Sequence, residues 1–400
     1  MFLALCLLAV GAAVTGAVPD TDMVEMSKAS VKFSQDIYNQ LVKKNEKDRN
    51  LIFSPFSAHA SLSMLYLGIK GDAATEMRSV LHLTKVLHPH TTYQTIIRDY
   101  NTVHDVNMNL VNGVWVKPSV QLIPDYQTDV KNYYNALADT MDITSPAGPE
   151  TPINDWIANT TDGQIKDFLA PETINEHTIL MLINALLFNG TWETPFDPKK
   201  TSKQAFFVDD GYGVLASVDM MFLAKQLESK TDKYLDVDVV KLPFQNTRFA
   251  MYFAVPRSLT GMTAFEGLLR RDGNKFNNLF TDLKPKMISF YIPKFTVTTL
   301  VDLEYPLKAI GLKKVFSSKA DFSGMTKLRV GASHMLHMAK MEVNEQGAFA
   351  SGGASTEVSW KMAPKDSYLV KANHSFMFFI RDDVTGQILF RGKFANPIHS

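Results

Sequence analysis

The stretch Glu345–Pro364, EQGAFASGGASTEVSWKMAP, near the C-terminus is the most informative part of this chain. Small or β-branched uncharged residues occupy every second position from Ala348 onward, namely Ala348, Ala350, Gly352, Ala354, Thr356 and Val358. This alternation is typical of a strand with one buried face. Glycine, serine and alanine are nevertheless poor strand formers, and runs of them are usually flexible linkers. Composition alone therefore leaves two interpretations, a surface linker or a segment that can become a strand.

The overall composition limits the class of protein. The chain has 400 residues, of which 46% are apolar, and its 41 basic side chains balance 41 acidic ones. This is sufficient for a large core, and the length permits one to three domains. A formal net charge of zero gives no indication of a nucleic-acid partner or of a membrane-surface partner, so we predict neither.

The N-terminal residues 1–17, MFLALCLLAVGAAVTGA, form an apolar run that ends in small residues. The run is short for a membrane span, and it has the length and the ending of a secretory signal peptide. A buried N-terminal helix is the alternative, but Pro19 and Asp20 follow at once and disfavour it. We predict a secreted, extracellular protein. Its only cysteine, Cys6, lies within the signal peptide, so the mature chain would contain no disulfide.

Three Asn-x-Ser/Thr sequons follow the signal peptide, at Asn159, Asn189 and Asn373. Each is a candidate site for N-linked glycosylation in the secretory pathway, and we therefore predict a glycoprotein. The pattern is short and also occurs by chance, so the sequence does not decide which of the three is used.

Local patterns predict helices in the first half of the chain and strands later, which favours a mixed α+β fold. The predicted helices are 27–44, 57–67 and 72–81. The predicted strands are 108–116, 178–188, 237–242, 249–255, 287–292, 376–381 and 387–393. No repeat and no long linker divides the chain.

Motifs for catalysis and for cofactor binding are absent or poor. There is no Gly-x-Ser-x-Gly elbow, no His-Glu-x-x-His pair and no Walker loop. Residues 211–216 formally resemble a dinucleotide fingerprint, but two aspartates precede them where a hydrophobic strand is required. The pair His88-Pro-His90 is a weak spacing for a metal site. We predict that the protein is not an enzyme and holds neither a cofactor nor a metal.

Several motifs in a fixed order identify a family resemblance. They are Asn50–Ser57 (NLIFSPFS), Asn184–Phe196 (NALLFNGTWETPF), Pro293–Phe295 (PKF), Leu307–Phe316, Glu342–Ala350 (EVNEQGAFA), Asn373–Arg381 (NHSFMFFIR) and Ile388–Pro397 (ILFRGKFANP). Together they resemble the serpins, a family of serine protease inhibitors, from about Ser27 to His399. The resemblance implies a single serpin domain over 18–400, with three β-sheets, eight or nine helices and an exposed reactive-centre loop at about 345–372.

The resemblance also implies a mechanism. In inhibitory serpins the target protease cleaves the reactive loop and forms an acyl-enzyme, after which the cut loop inserts into the main sheet as a new strand. The hinge of this loop is then Glu345, Gly347, Ala348, Phe349 and Ala350. A charged or bulky side chain on the inserting face would be costly to bury, and the alternate set beginning at Ala348 contains none. Phe349 departs from the Glu usual in inhibitory relatives. By parity it would face outward, so we expect it to be tolerated.

Family hinge spacing places the reactive bond about fourteen residues after Gly347, between Lys361 and Met362. Counting back from Asn373 points closer to Pro364, which keeps Lys365-Asp366 as an alternative reactive bond. A lysine before the cleaved bond fits a trypsin-like pocket with an acidic floor. The neighbouring Trp360 would exclude proteases with a cramped adjacent subsite.

The resemblance further assigns residues that control opening of the main sheet. Ser54, Ser57, Asn184 and His337 would form a polar cluster beneath the sheet, while Trp192 and Lys294 would lie with Glu345 where the loop first inserts. An exposed Glu345–Lys294 ion pair would contribute only about 0–1 kcal/mol, so we expect it to act on kinetics more than on stability.

Two functions remain open at this level. The first is a suicide inhibitor that forms a covalent complex with a trypsin-like serine protease, and the second is a non-inhibitory binding, carrier or storage serpin. Residues 81–100 contain only Lys85 and Arg98 as fixed positive charges, so we do not expect a heparin-type polyanion to bind there. We expect a monomer.

Overall fold

The computed structural model describes residues 20–44, 49–104, 106–208, 214–348 and 366–399. The predicted signal peptide, 1–17, lies outside these described residues. Within them the chain forms nine α-helices. They are α1 (Asp20–Lys44), α2 (Pro55–Tyr66), α3 (Gly71–Val80), α4 (Pro89–Tyr100), α5 (Pro124–Tyr134), α6 (Thr151–Thr160), α7 (Met262–Arg271), α8 (Gly273–Asn278) and α9 (Glu304–Ala309).

The three predicted helices are confirmed as α1, α2 and α3, and α1 begins earlier than the predicted start at Ser27. Its first turn contains Asp20 and Asp22, which are favourable beside the positive end of the helix dipole. The Asp22 carboxylate also accepts hydrogen bonds from the backbone nitrogens of Leu87 (3.2 Å) and His88 (2.8 Å). These contacts hold the start of α1 against the segment before α4.

The strands have the following bounds. They are β1 (Leu51–Phe53), β2 (Val106–Val116), β3 (Leu137–Thr140), β4 (Leu180–Thr191), β5 (Ser202–Val208), β6 (Val214–Asp232), β7 (Val237–Pro243), β8 (Phe249–Pro256), β9 (Lys284–Pro293), β10 (Phe295–Asp302), β11 (His334–Val343), β12 (Gly347–Ala348), β13 (Tyr368–Lys371), β14 (Phe376–Asp382) and β15 (Ile388–Phe394). Each predicted strand is found with small shifts at its ends. The predictions did not include strands β1, β3, β5, β6, β10, β11 and β13.

Hydrogen bonds join the described strands into two sheets, whereas the family resemblance implied three. The six-stranded sheet has the order β10-β11-β12-β4-β2-β3. The nine-stranded sheet has the order β1-β15-β14-β8-β7-β6-β9-β13, with β5 paired to β6. The difference arises at β6, because this 19-residue strand pairs with β5, β9 and β7 in turn along its length. One long strand thus connects two groups of strands, and the α+β fold class is confirmed.

Two clusters of buried apolar side chains lie on opposite faces of the six-stranded sheet. The larger cluster extends from Met26 in α1 to Phe394 in β15 and includes most of α2 and β8. The smaller one lies beneath α6, where Ile153 and Ile157 pack with side chains from β2, β4 and β11. The sheet is therefore buried on both faces over part of its area, which requires apolar side chains on both faces of β4. Its first nine residues are accordingly all buried.

The Arg248 guanidinium joins three elements of the fold. It donates to Asp382 in β14 through Nε (3.0 Å) and Nη2 (2.8 Å), and Nη2 also donates to Asp99 in α4 (2.7 Å). The Asp382 side chain is fully buried and additionally accepts from the hydroxyl of Tyr100 at 3.2 Å. Because a buried carboxylate is stable only when it is paired, Arg248 is the counter-charge that this packing requires.

We predict that Arg248→Met lowers the free energy of unfolding by ~3–5 kcal/mol, because it leaves the Asp382 carboxylate buried without a counter-ion. Urea unfolding of the two proteins measures the difference. The matched control is Arg257→Met, since Arg257 pairs with Asp236 at 3.4 Å and both side chains are about half exposed. That control should change the value by less than ~1 kcal/mol. Equal losses of unfolding free energy in the two variants would contradict the role of Arg248 as the counter-charge of Asp382.

Candidate functional site

The centre of the six-stranded sheet contains a parallel seam between β4 and β11. Pairing runs from Met181 opposite His334 to Leu186 opposite Ala339 and stops there. Parallel ladders are slightly less stable per residue than antiparallel ones. The seam is therefore a comparatively weak line through an otherwise antiparallel region of the sheet.

Above the seam, the short strand β12 lies between β4 and β11. Gly347 is opposite Thr191 and Ala348 is opposite Gly190, both antiparallel, while Ala348 also pairs with Val343 of β11. Ala348 is fully buried. The hinge therefore already occupies the first positions between the two strands. The remaining predicted hinge residues, Phe349 and Ala350, lie outside the described residues.

Gly347 is required by a close approach to β4. A Cβ atom at this position would lie 2.0 Å from the carbonyl oxygen of Gly190, a contact that no side chain can make. From the sequence, Gly347 was named only as a hinge residue. The structure adds a steric reason, because any larger residue would push β12 away from its partner strand.

The turn between β11 and β12 is fastened by Asn344 and Trp192. The Asn344 Oδ1 atom accepts from the backbone nitrogens of Gln346 (2.9 Å) and Gly347 (3.2 Å). The Trp192 indole nitrogen donates to the Asn344 carbonyl at 3.0 Å, and its ring stacks on Phe244 with centroids 4.8 Å apart. A buried tryptophan thus holds the turn by its polar edge. Asn344 was not singled out from the sequence, although it lies within the hinge motif.

Glu345 lies in this turn and is bound on two sides. Its carboxylate accepts from Lys294 Nζ at 2.9 Å and from the Thr201 hydroxyl at 2.9 Å, and its backbone carbonyl accepts from Phe196 N at 2.9 Å. Partial burial acts to raise the pKa of Glu345, but the hydrogen bonds from Lys294 and Thr201 outweigh it and leave this pKa below its usual value. The Glu345 side chain is only 11% exposed, so the pair is less exposed than the sequence suggested.

The predicted cluster beneath the sheet is brought together around Asn184 of β4. Its Oδ1 accepts from the Ser57 hydroxyl at 2.9 Å, and its Nδ2 donates to the Ser57 carbonyl at 3.1 Å and to Asn112 Oδ1 at 2.5 Å. Ser54 caps α2 by accepting from the backbone nitrogen of Ser57 at 3.1 Å. Asn112 was missed from the sequence, because only the pairing of β2 with β4 places it opposite Asn184.

His337 extends this cluster across the seam. Its Nε2 accepts from the backbone nitrogen of Ser54 at 3.0 Å, so Nδ1 carries the proton and donates to Asn184 Oδ1 at 2.5 Å. Burial lowers the pKa of His337 from 6.5 to about 3, and the ring is therefore neutral at physiological pH. Because His337 and Asn184 are direct partners on β11 and β4, separating the two strands has to break this hydrogen bond.

The other predicted residues are distributed as follows. Trp360, Lys361, Met362 and Lys365 lie outside the described residues, and Asp366 is an exposed turn residue before β13. The three sequon asparagines are accessible to different degrees, since Asn159 and Asn189 are exposed and Asn373 is half-buried.

The described part of the chain contains no group of three or more metal-ligating side chains. None of its helices combines the length and the apolar character needed to cross a bilayer.

Comparison with known proteins covers nearly the whole chain. Residues 28–397 match the family model Serpin (serine protease inhibitor). The chain is 29% identical over 384 residues to leukocyte elastase inhibitor of Xenopus tropicalis, covering 94% of this chain and 100% of the relative. It is 29% identical over 382 residues to serine protease inhibitor 42Dd of Drosophila melanogaster, covering 93% and 98%. Human thyroxine-binding globulin complexed with thyroxine has the same fold, with a TM-score of 0.85 at 24% identity over 94% of this chain and 99% of that one.

We predict that Glu345→Gln accelerates local opening of the turn between β11 and β12. Loss of a charge-assisted hydrogen bond should lower the opening free energy by ~1–2 kcal/mol, which corresponds to ~5–30-fold faster amide exchange. Hydrogen–deuterium exchange of residues 340–348 measures the effect. The exposed Glu342 near the end of β11 supplies the control, Glu342→Gln. We expect no change, because the amide oxygen of Gln can still accept from Asn344 Nδ2, which lies 3.5 Å from Glu342 Oε1. Equal acceleration in both variants would refute a specific role for Glu345.

We predict that acid weakens the closed sheet through His337. Native His337 stays neutral down to about pH 3, whereas it binds a proton near pH 6.5 once exposed, so stability is lost as the pH falls below 6.5. Between pH 7 and pH 5 this linkage amounts to ~2 kcal/mol. His337→Gln keeps a donor and an acceptor but does not titrate, so its free energy of unfolding should fall by ~2 kcal/mol less than that of the parent over this range. If the free energy of unfolding falls equally in the parent and in His337→Gln, other titrating groups dominate the pH dependence.

Proposed function

The chain belongs to the serpin family, and we propose that it is a secreted suicide-type inhibitor of a trypsin-like serine protease. The protease cleaves the reactive loop at Lys361-Met362 and remains attached as an acyl-enzyme while the hinge segment inserts as a new strand. The observation that carries the proposal is the position of β12 between β4 and β11, directly above the parallel seam.

Register supports the insertion step. A strand that continued β12 down the seam would direct alternate residues from the buried Ala348 onward to the same face, and these residues are small or β-branched and uncharged. The outward face would take Phe349 and the polar residues. The segment therefore meets the steric and electrostatic requirements of the inner face along its whole length.

Hydrogen bonding supplies a driving force. Insertion would replace the parallel pairing of β4 and β11 with two antiparallel ladders, one on each side of the new strand. Antiparallel ladders are somewhat more stable per residue, and each additional net hydrogen bond contributes ~0.5–1.5 kcal/mol. Release of this free energy only after cleavage would make the trapping step irreversible.

Target choice lies in the reactive loop. Lys361 would occupy the acidic pocket of a trypsin-like protease, whose nucleophilic serine forms an ester with the Lys361 carbonyl carbon. Displacing the protease before water attacks the ester would misalign the oxyanion-hole donors on which deacylation depends. Cleavage at Lys365-Asp366 would lengthen the inserted arm by four residues, or about 13 Å at ~3.3 Å per residue.

The proposal also covers the secretion, glycosylation, oligomeric state and ligands of the protein. The apolar run 1–17 directs secretion, and the sequons Asn159, Asn189 and Asn373 supply glycosylation sites. The protein acts as a monomer and without catalytic activity of its own. It holds no cofactor or metal, and no heparin-type polyanion binds through 81–100.

A carrier serpin is the second candidate, and a cavity favours it. The cavity measures about 450 Å³ and lies between α1, α8 and the β14–β15 hairpin. Ligand sites are commonly 300–1,000 Å³. Lys32 lines it together with Phe276 and Phe280, which suits an apolar molecule with a negative charge. Two further cations of the lining, Lys28 and Arg381, are paired with Glu25 and Asp383. A carrier of this kind would need no loop insertion.

We predict that incubation with trypsin gives a covalent complex near the summed masses on a denaturing gel. Lys361→Ala should abolish the complex, because alanine does not fill a trypsin-type pocket, while the matched variant Lys365→Ala should retain it. N-terminal sequencing of the released C-terminal peptide should begin at Met362. A start at Asp366 would transfer the reactive bond to the alternative position.

Cleavage without a complex is the outcome that contradicts inhibition. If the cleaved chain also gains no thermal stability, insertion itself is refuted and the carrier function becomes the better proposal. Binding of an apolar anion such as anilinonaphthalene sulfonate, reduced by Lys32→Ala, would then support the cavity between α1 and α8.

A further inference from the structure

A small polar groove lies where the chain leaves α6 and passes over the six-stranded sheet. Its volume is about 110 Å³. It is lined by Asn107, Asn109, Thr161, Asp162, Gln164, Leu187, Phe188 and Asn189. Asn107 and Asn189 are direct partners on β2 and β4, so their Cα atoms are neighbours in the sheet. Four of its six polar lining residues carry a side-chain amide.

Three amide side chains of this groove are accessible to a ligand. Asn107 and Gln164 are exposed and Asn109 is half-buried. Each presents both a carbonyl acceptor and an NH₂ donor. Such groups complement the hydroxyl and N-acetyl groups of a sugar, which likewise both donate and accept.

Asn189 is the acceptor of the sequon Asn189-Gly190-Thr191, and it lines this groove. It is the only exposed residue of β4, all the others being buried or half-buried. The glycine of the sequon is dictated by packing, because a Cβ there would lie 2.8 Å from the Phe188 ring and 2.9 Å from the Phe244 ring. The sequon therefore places one accessible amide on a rigid strand beside the other amides of the groove.

We propose that Asn189 carries an N-linked glycan whose first N-acetylglucosamine lies in this groove and braces α6 against the sheet. The donor is a lipid-linked oligosaccharyl pyrophosphate. A bond forms between C1 of the sugar and Asn189 Nδ2, the C1–O bond to the phosphate breaks, and the nitrogen loses one proton as the lipid pyrophosphate leaves. The proposal rests on the secretion included in the proposed function.

The first sugar of the glycan acts on α6, the helix that packs over one face of the six-stranded sheet. Ile153 and Ile157 of α6 pack in one cluster with Leu187 of β4 and Leu336 of β11. Most of this cluster lies on α6, β2 and β4, so α6 is held to the sheet mainly through these two strands. A sugar held by Gln164 after α6 and by Asn107 on the sheet resists movement of α6 away from the sheet. Glycosylation of Asn189 therefore slows local opening of α6.

Asn159 provides a matched comparison within the same molecule. It is exposed near the end of α6 and belongs to a complete sequon, but it does not line the groove. A glycan there would start outside the groove and would not join α6 to the sheet through it. Removing it should leave the motion of α6 unchanged.

The test uses residues 18–400 expressed in insect cells behind a proven secretion signal, so that it does not depend on residues 1–17. Peptide-N-glycosidase treatment in H₂¹⁸O should convert Asn189 to labelled aspartate, detected by mass spectrometry. Hydrogen–deuterium exchange of residues 151–164 should be several-fold faster in Asn189→Gln than in the parent, and unchanged in Asn159→Gln. Trimming with an endoglycosidase that leaves one N-acetylglucosamine should preserve the slow exchange of the parent.

Two results would overturn the proposal. The first is secreted protein in which Asn189 is unmodified. The second is exchange of α6 at the same rate in the parent and in Asn189→Gln, or equally fast exchange after trimming to one sugar. No protease is present in these measurements, so failure of the inhibitory function and failure of the glycan brace are observed separately.

Discussion

The parallel pairing of β4 with β11 is the interaction on which the proposed function depends. It closes the centre of the six-stranded sheet, yet it ends at Leu186 and Ala339 and leaves the upper part of both strands to β12. A third strand that pairs antiparallel with both would make more hydrogen bonds than the two strands make with each other. Insertion of the cleaved loop would therefore lower the free energy of the sheet.

Contacts at several positions along the seam hold this sheet closed. At the upper end, Glu345 ties the hinge turn to Lys294 and Thr201. In the middle, the hydrogen bond between His337 and Asn184 crosses the seam. The cluster beneath α6 spans both strands on the opposite face. In the proposed insertion these contacts would have to break before the new strand pairs with β4 and β11, so we expect each of them to raise the barrier to opening.

The candidate site was predictable to the extent that it lies within continuous motifs. The motifs around Ser54, Asn184 and Glu345 predicted the residues of the polar cluster and of the hinge. The structure brings these two groups of residues to the two ends of one seam. Asn112 and Thr201 were not predictable, because their partners are more than seventy residues away in sequence and only strand pairing brings them together. The sequence named Gly347 as a hinge residue, but the steric reason for a glycine there depends on the carbonyl of Gly190.

The sequence by itself determined the α+β class, the strands with strong local alternation and the alternating composition of the hinge, since these are properties of neighbouring residues. Tertiary structure decided β6 and β11. Both are rich in Met, Leu, Ala, Lys and Glu, which favour helices in isolation, and they become strands because ladders on both sides satisfy their backbone groups. The length of β6 also places two groups of strands in one sheet. This arrangement was not predictable, because hydrogen-bonded pairing between distant segments leaves no local pattern in the sequence.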